Sequence, residues 1–244
     1  MMSKRMVAAM LAGFFLVGSA LAEDTGTITG KVTLKGGRAS VPKKWRTKKI
    51  PTQAADPNCT KKIGTTKARV AKADKGSGIQ WVMVSIDKGL DGKTIPPAPT
   101  TPAVLDQKGC EYHPHVLGVV KGQGLLVKNS DNTSHNIHGL PKKNEEFNKS
   151  QPKKGMKFTL NLSEIEQFFT KCDVHPWMGC YISVFEHPFF AVSDKTGDYT
   201  IKNVPPGKYT LKFWHESFGE KTMEVEVSGP GSTAEANVEF EAPK

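Results

Sequence analysis

Cys172-Asp-Val-His175-Pro-Trp-Met178 is the stretch on which the reading of this 244-residue chain turns. It holds a thiol, an imidazole and a thioether within seven residues, three metal ligands of graded softness, and soft sulfur donors favour copper over harder ions. Placed at the end of a strand, such a loop can fold all three around one ion. A further ligand has to come from elsewhere. Upstream, Ser134-His135-Asn136-Ile137-His138 follows an apolar, strand-like run, Leu125-Leu126-Val127. Two histidines, one cysteine and a weak axial methionine make up a blue-copper electron-transfer site.

Working outward, Phe158, Leu160 and Leu162 alternate with Lys157, Thr159 and Asn161, as in a strand with one wet face. Phe168-Phe169 leads into Cys172, and buried aromatics beside a metal keep water from it. Gly124 to His138, GLLVKNSDNTSHNIH, together with Lys157-Phe-Thr-Leu-Asn-Leu and Phe169-Thr-Lys-Cys172, resembles the cupredoxins, blue copper proteins of the amicyanin and plastocyanin kind. Two residues separate Cys172 from His175 and two separate His175 from Met178, the short spacing of amicyanin. The resemblance covers residues 102–186 and implies a Greek-key β-sandwich, copper as cofactor and transfer of single electrons to a redox partner. By matching positions it implies His135, Cys172, His175 and Met178 as ligands. Asn136 matches an asparagine that hydrogen-bonds across to the ligand loop. His138, with the same chemistry as His135, remains a rival for the first-ligand place.

At the start of the chain, Lys4 and Arg5 precede an apolar run from Met6 to Val17 and a small-residue exit, Ala20-Leu21-Ala22. Residues 1–22 therefore read as a secretory leader cleaved before Glu23, which predicts a periplasmic protein. The run is shorter than the roughly 20 apolar residues a spanning helix needs, so the mature chain is expected not to be transmembrane. The chain carries 34 basic and 24 acidic residues, a formal +10; losing Lys4 and Arg5 with the leader leaves +8. In an exported protein nucleic acid is a poor explanation for that charge. It can steer an acidic redox partner, or the lysines can simply solvate the surface.

Exported proteins keep disulfides. The four cysteines are Cys59, Cys110, Cys172 and Cys180. With Cys172 on a metal, the natural bridge is Cys59–Cys110, which staples the lysine-rich segment 38–79 to the copper module; two separate reduced cysteines are the alternative. Cys180 shares a strand face with Ile182 and Val184 and reads as a small buried hydrophobe. A Cys172–Cys180 disulfide, by contrast, consumes the thiolate and abolishes the site. Tyr112-His113-Pro-His115 reads as a strand entry that puts both imidazoles on one face, and the pair is a candidate for a second metal, or else a polar strand start. Trp177 is read as either a docking surface or loop packing.

The ends of the chain have another character. Gly26-Thr-Ile28-Thr-Gly30-Lys-Val32-Thr-Leu34 alternates as a half-buried strand does, and Trp81-Val-Met-Val-Ser-Ile86 reads as a buried one. Pro96-Pro97-Ala-Pro99-Thr-Thr-Pro102 is a stiff connector. From His187 onward, alternating strands are joined by glycine turns. Asp194-Lys-Thr-Gly197-Asp-Tyr199 and Pro206-Gly207-Lys-Tyr209-Thr-Leu211 resemble the transthyretin-like regulatory domain of carboxypeptidases. Residues 23–101 and 187–244 are accordingly expected to form one discontinuous β-sandwich around the copper module. Trp214-His215-Glu216 closes a strand, and a lone His-Glu pair is a weak catalytic signal. No nucleophile motif or phosphate loop points to an enzyme.

The expected protein is thus all-β, exported and copper-binding, and an electron carrier in place of an enzyme. Two other classes stay open: a periplasmic copper carrier or storage protein, and a structural or interaction module whose cysteines are all paired.

Overall fold

The computed structural model describes residues 24–41, 59 and 77–242. The expected leader and most of the lysine-rich segment, residues 42–58 and 60–76, lie outside the described residues. In chain order the strands are β1 (Gly26–Leu34), β2 (Met83–Lys88), β3 (Ala103–Gln107), β4 (Tyr112–His113), β5 (Val116–Val120), β6 (Gly124–Asn129), β7 (His135–Gly139), β8 (Phe147–Gln151) and β9 (Lys157–Asn161). They continue with β10 (Gln167–Lys171), β11 (Gly179–Phe185), β12 (Phe190–Val192), β13 (Asp198–Val204), β14 (Gly207–His215), β15 (Gly219–Val227), β16 (Thr233–Glu235) and β17 (Val238–Phe240). One short helical turn, Gly37–Ser40, interrupts this all-β pattern among the described residues.

Two sheets draw on both ends of the chain. In one, β1 lies between β13 and β16 and also pairs with β17; in the other the order is β12-β2-β14-β15. The alternation in β1 sends Ile28, Val32 and Leu34 inward, where they meet Val84, Tyr199, Ile201, Tyr209, Leu211, Phe213 and Phe240. Burying each such aliphatic or aromatic side chain is worth about 1.5–3 kcal/mol, so this shared interior fixes the first strand to the last ones. Gly197 turns the chain into β13 with a φ of 87°, and its α-carbon faces the Val32 carbonyl so closely that a β-carbon has no room. The buried strand read from Trp81 onward begins instead at Met83, because Trp81 sits in a turn with a φ of 71°.

The intervening chain, β3 to β11, builds two more sheets, β4-β3-β6-β9 and β5-β11-β10-β7-β8. It passes repeatedly from one sheet to the other. Leu105, Leu125, Val127, Ile137, Phe168, Ile182 and Val184 fill the space between them. The two parts touch where Phe190 of β12 packs on Gly118 of β5, a position that leaves no space for a side chain.

Register places the functional loop. β10 pairs antiparallel with β11, Lys171 opposite Gly179, so residues 172–178 form the loop of this hairpin. β10 also pairs antiparallel with β7, Lys171 opposite His138. The start of β7, with His135, therefore runs alongside the loop.

Candidate metal centre

His135, Cys172 and His175 converge in the interior, their ligating atoms all within 4.8 Å of one another. Nδ1 of His135 lies 2.9 Å from Nδ1 of His175, and Sγ of Cys172 lies 3.7 Å from the same His175 nitrogen. All three residues are buried, His135 completely. Met178 is buried beside Cys172 in the same core. Its backbone closes the loop: Cys172 N–H donates to the Met178 carbonyl at 3.1 Å, and Met178 N–H donates to that of His175 at 2.9 Å.

The outer nitrogens explain why the inner ones are available. Nε2 of His135 is 2.9 Å from the Asp131 carboxylate, an acceptor that calls for the proton on Nε2. Nε2 of His175 is 3.5 Å from the Cys59 sulfur, a weak acceptor that favours the same tautomer. Each ring then points an Nδ1 lone pair at the other. Two lone pairs at 2.9 Å repel unless a proton or a cation lies between them, and with a thiol beside them the donor set suits a soft or borderline metal. Burial pushes the Cys172 thiol above its ordinary range, against hydrogen bonds that favour the thiolate. A metal held there would have to displace that proton.

Asn136 holds the loop from β7. Its Oδ1 accepts the amide N–H of Asp173 at 2.7 Å and that of Val174 at 3.4 Å, and lies 3.2 Å from Cys172 Sγ. Its Nδ2 donates to Asn148 and Asp173. Lys171, then Asn148, His138 and Asn136, hold the Asp173 carboxyl well below the usual carboxylate range despite some desolvation.

Among known proteins, the family model described as polysaccharide lyase family 4, domain II, matches residues 186–236. The match falls in the segment read as transthyretin-like and describes it differently. No curated protein matches the chain. Similar solved structures include a copper-containing nitrite reductase from Thermus scotoductus SA-01, 18% identical with a TM-score of 0.35, over 38% of this chain and 27% of the reductase. A purple cupredoxin from Nitrosopumilus maritimus is 21% identical, TM-score 0.30, over 34% of this chain and 99% of the cupredoxin. A Cu(I) amicyanin variant is 24% identical, TM-score 0.31, over 41% of this chain and 100% of the amicyanin.

The remaining candidates lie elsewhere. His138 is turned outward, Nδ1 at 2.9 Å from Asp173 and Nε2 at 2.9 Å from Glu146. His113 and His115 do not share a face: β4 ends at His113 and β5 begins only at Val116. His113 is exposed and bonds the Lys108 carbonyl, whereas His115 is buried, with Nδ1 at 3.0 Å from the Gly179 carbonyl and Nε2 at 2.6 Å from Glu216. His215 is buried at the end of β14; burial, then the nearby His115, push its pKa down to about 3. Cys180 is a free buried thiol packed with Ile182 and Val184, so Cys172 is not bridged to it. The expected Cys59–Cys110 disulfide is present. Trp177 is half-buried: its ring lies 5.0 Å from that of His175 and its Nε1–H donates to the Cys110 carbonyl at 3.1 Å.

Sequence reasoning missed Asp131. Besides His135, it accepts the amide N–H groups of Gly109 and Cys110 at 2.7 and 2.8 Å. Burial works against its ionisation, but those two amides and His135 outweigh it and hold the carboxyl below its ordinary value. The signal was a carboxylate four residues before a candidate ligand, in the turn Ser130-Asp-Asn-Thr-Ser134.

Proposed function

We propose that this is an exported copper-binding protein that accepts and releases single electrons at a mononuclear site. His135, Cys172, His175 and Met178 would hold the ion. The observation that carries this reading is the convergence of three buried donors, two imidazole nitrogens 2.9 Å apart and an unbridged thiol 3.7 Å from one of them.

Copper, when bound there, supplies a one-electron couple between its divalent and monovalent states. The protein's part is to fix and shield. Asp131 and Asn136 hold His135 and the ligand loop, so the donors stay in place whichever charge the ion carries. Burial of all four residues keeps water out. In this reading residues 102–186 are the cupredoxin-like copper module, and residues 23–101 with 187–244 a transthyretin-like sandwich that positions it. The leader delivers the chain to the periplasm, and the basic surface favours an acidic redox partner. The free thiols of Cys172 and Cys180 speak against a module with every cysteine paired.

The test is the visible absorption and electron paramagnetic resonance spectrum of the mature protein with one equivalent of Cu(II), beside Cys172→Ser. An intense thiolate-to-copper band that the variant lacks is expected. A colourless wild type with confirmed reduced Cys172 sinks the reading. Rapid electron exchange with a small redox dye then separates an electron carrier from a protein that only stores copper.

A further inference from the structure

The second nitrogen of His175 faces another set of soft donors. Nε2 is 3.5 Å from the Cys59 sulfur, and Cys59, Cys110 and His175 bring their ligating atoms within 4.8 Å of one another, all three residues buried. Cys110 and His175 are held by contacts other than the bond between the two sulfurs. Cys110 is fastened on both sides of its backbone, its amide to Asp131 and its carbonyl to the Trp177 indole. The His175 ring is set by Trp177 on one side and by its Nδ1 contacts on the other.

In the oxidised chain the two sulfurs are bonded to each other and are weak donors. Reduced, they are two thiolates in the making beside an imidazole, a donor set that favours monovalent copper. We propose that Cys59, Cys110 and His175 form a second site for Cu(I) once their disulfide is reduced, distinct from the centre at Cys172 and sharing His175 with it. The reductant is a dithiol. Its two sulfurs join as the Cys59–Cys110 bond breaks, and its two protons pass to Cys59 and Cys110. Cu(I) then displaces those protons as the sulfurs bind. A neutral imidazole has a single lone pair, on Nδ1 or on Nε2. His175 therefore serves one site or the other, and the state of the disulfide selects which.

This inference goes beyond the proposed electron transfer and stands whether or not the first centre takes copper, so it is tested with that centre silenced. The full mature chain carrying Cys172→Ser is reduced anaerobically with dithiothreitol and desalted, and a gain of two titratable thiols over the oxidised chain confirms that the bridge has opened. Cu(I) is then competed against bathocuproine disulfonate. The reduced chain is expected to bind one Cu(I) at least about tenfold more tightly than the oxidised one, and His175→Ala in the same background to lose about tenfold or more. X-ray absorption should show two sulfurs and one nitrogen on the copper. Equal affinity of reduced and oxidised chains overturns the proposal. So does an affinity untouched by His175→Ala, which means chelation by two thiols alone. A reduced chain that has lost its near-ultraviolet circular dichroism and does not regain it with Cu(I) overturns it as well, since the site needs the folded frame.

Discussion

Oδ2 of Asp131 lies 2.9 Å from Nε2 of His135 and, at 2.8 Å, accepts the amide N–H of Cys110. One carboxylate thus orients the His135 imidazole and anchors the disulfide-bearing turn. Removing such an outer partner typically costs about 10- to 100-fold in metal affinity. Asp131→Ala should weaken copper binding to that extent in a chelator competition while the thiolate band, once the site is loaded, persists. Wild-type affinity in the variant means that His135 is oriented by packing alone.

Asn136 makes a different contribution, to the loop and not to a ring. Its Oδ1 accepts two loop amides, and leaving buried or half-buried amides without a partner costs about 1–3 kcal/mol. Asn136→Ala is expected to lower the stability of the metal-free protein by about that much in urea denaturation, with faster hydrogen exchange at the amides of Asp173 and Val174. Unchanged exchange at those two amides contradicts this role.

The legible parts of the sequence were those written in local pattern. Alternation in β1 and β9 named the inward residues Ile28, Val32 and Leu34 and the strand Lys157–Asn161, and a cysteine, a histidine and a methionine confined to one hairpin loop announced their own proximity. What could not be read depended on contacts between distant segments or on where a strand ends. The link from His115 to Glu216 spans 101 positions. The divergence of His113 from His115 lies in the break between β4, which ends at His113, and β5, which begins at Val116. Asp131 needed the third dimension too: its neighbours in sequence say nothing of Gly109 and Cys110.

Cys180 lies on β11 with no bond to any sulfur and is fully buried. Burial, foremost, pushes its thiol far above the ordinary range, and among the described residues it belongs to none of the groups whose ligating atoms converge. Cys180→Ser replaces a soft, apolar group with a hydroxyl that must be desolvated, at about 1–3 kcal/mol. The expected result is a less stable protein whose copper spectrum is unaltered. A shifted or missing thiolate band assigns Cys180 to the site after all.

Glu216 and His115 form a largely buried contact of 2.6 Å between the β14–β15 turn and the residue that precedes β5, and the other nitrogen of His115 reaches the Gly179 carbonyl, next to Met178. A hydrogen bond to a carboxylate contributes about 1.5–3 kcal/mol, and removing the carboxylate leaves the buried imidazole nitrogen without its partner. Glu216→Ala should destabilise the protein by an amount near the lower end of that range, and limited proteolysis should detect loosening at this turn. A loss below about 1 kcal/mol, the level of a surface pair, shows that the contact is dispensable.

His215 sets an acid limit on the fold. Its folded pKa of about 3 lies far below the ordinary 6.5, because burial, helped by His115, disfavours the charged ring. The unfolded chain therefore binds the proton first as pH falls. Stability contributed by the neutral buried ring is fully present above pH 6.5, declines as pH drops from 6.5 towards about 3, and levels off below that. Each pH unit inside the window is worth about 1.4 kcal/mol, enough to dominate the acid slope of a marginally stable fold. The ring stacks on Phe218 with centroids 4.6 Å apart, so His215→Phe keeps an aromatic there without a titrating group. Urea denaturation at about pH 6 and about pH 4 should show a clearly smaller loss of stability in the variant than in the wild type. Parallel slopes for the two proteins place the acid sensitivity in other groups.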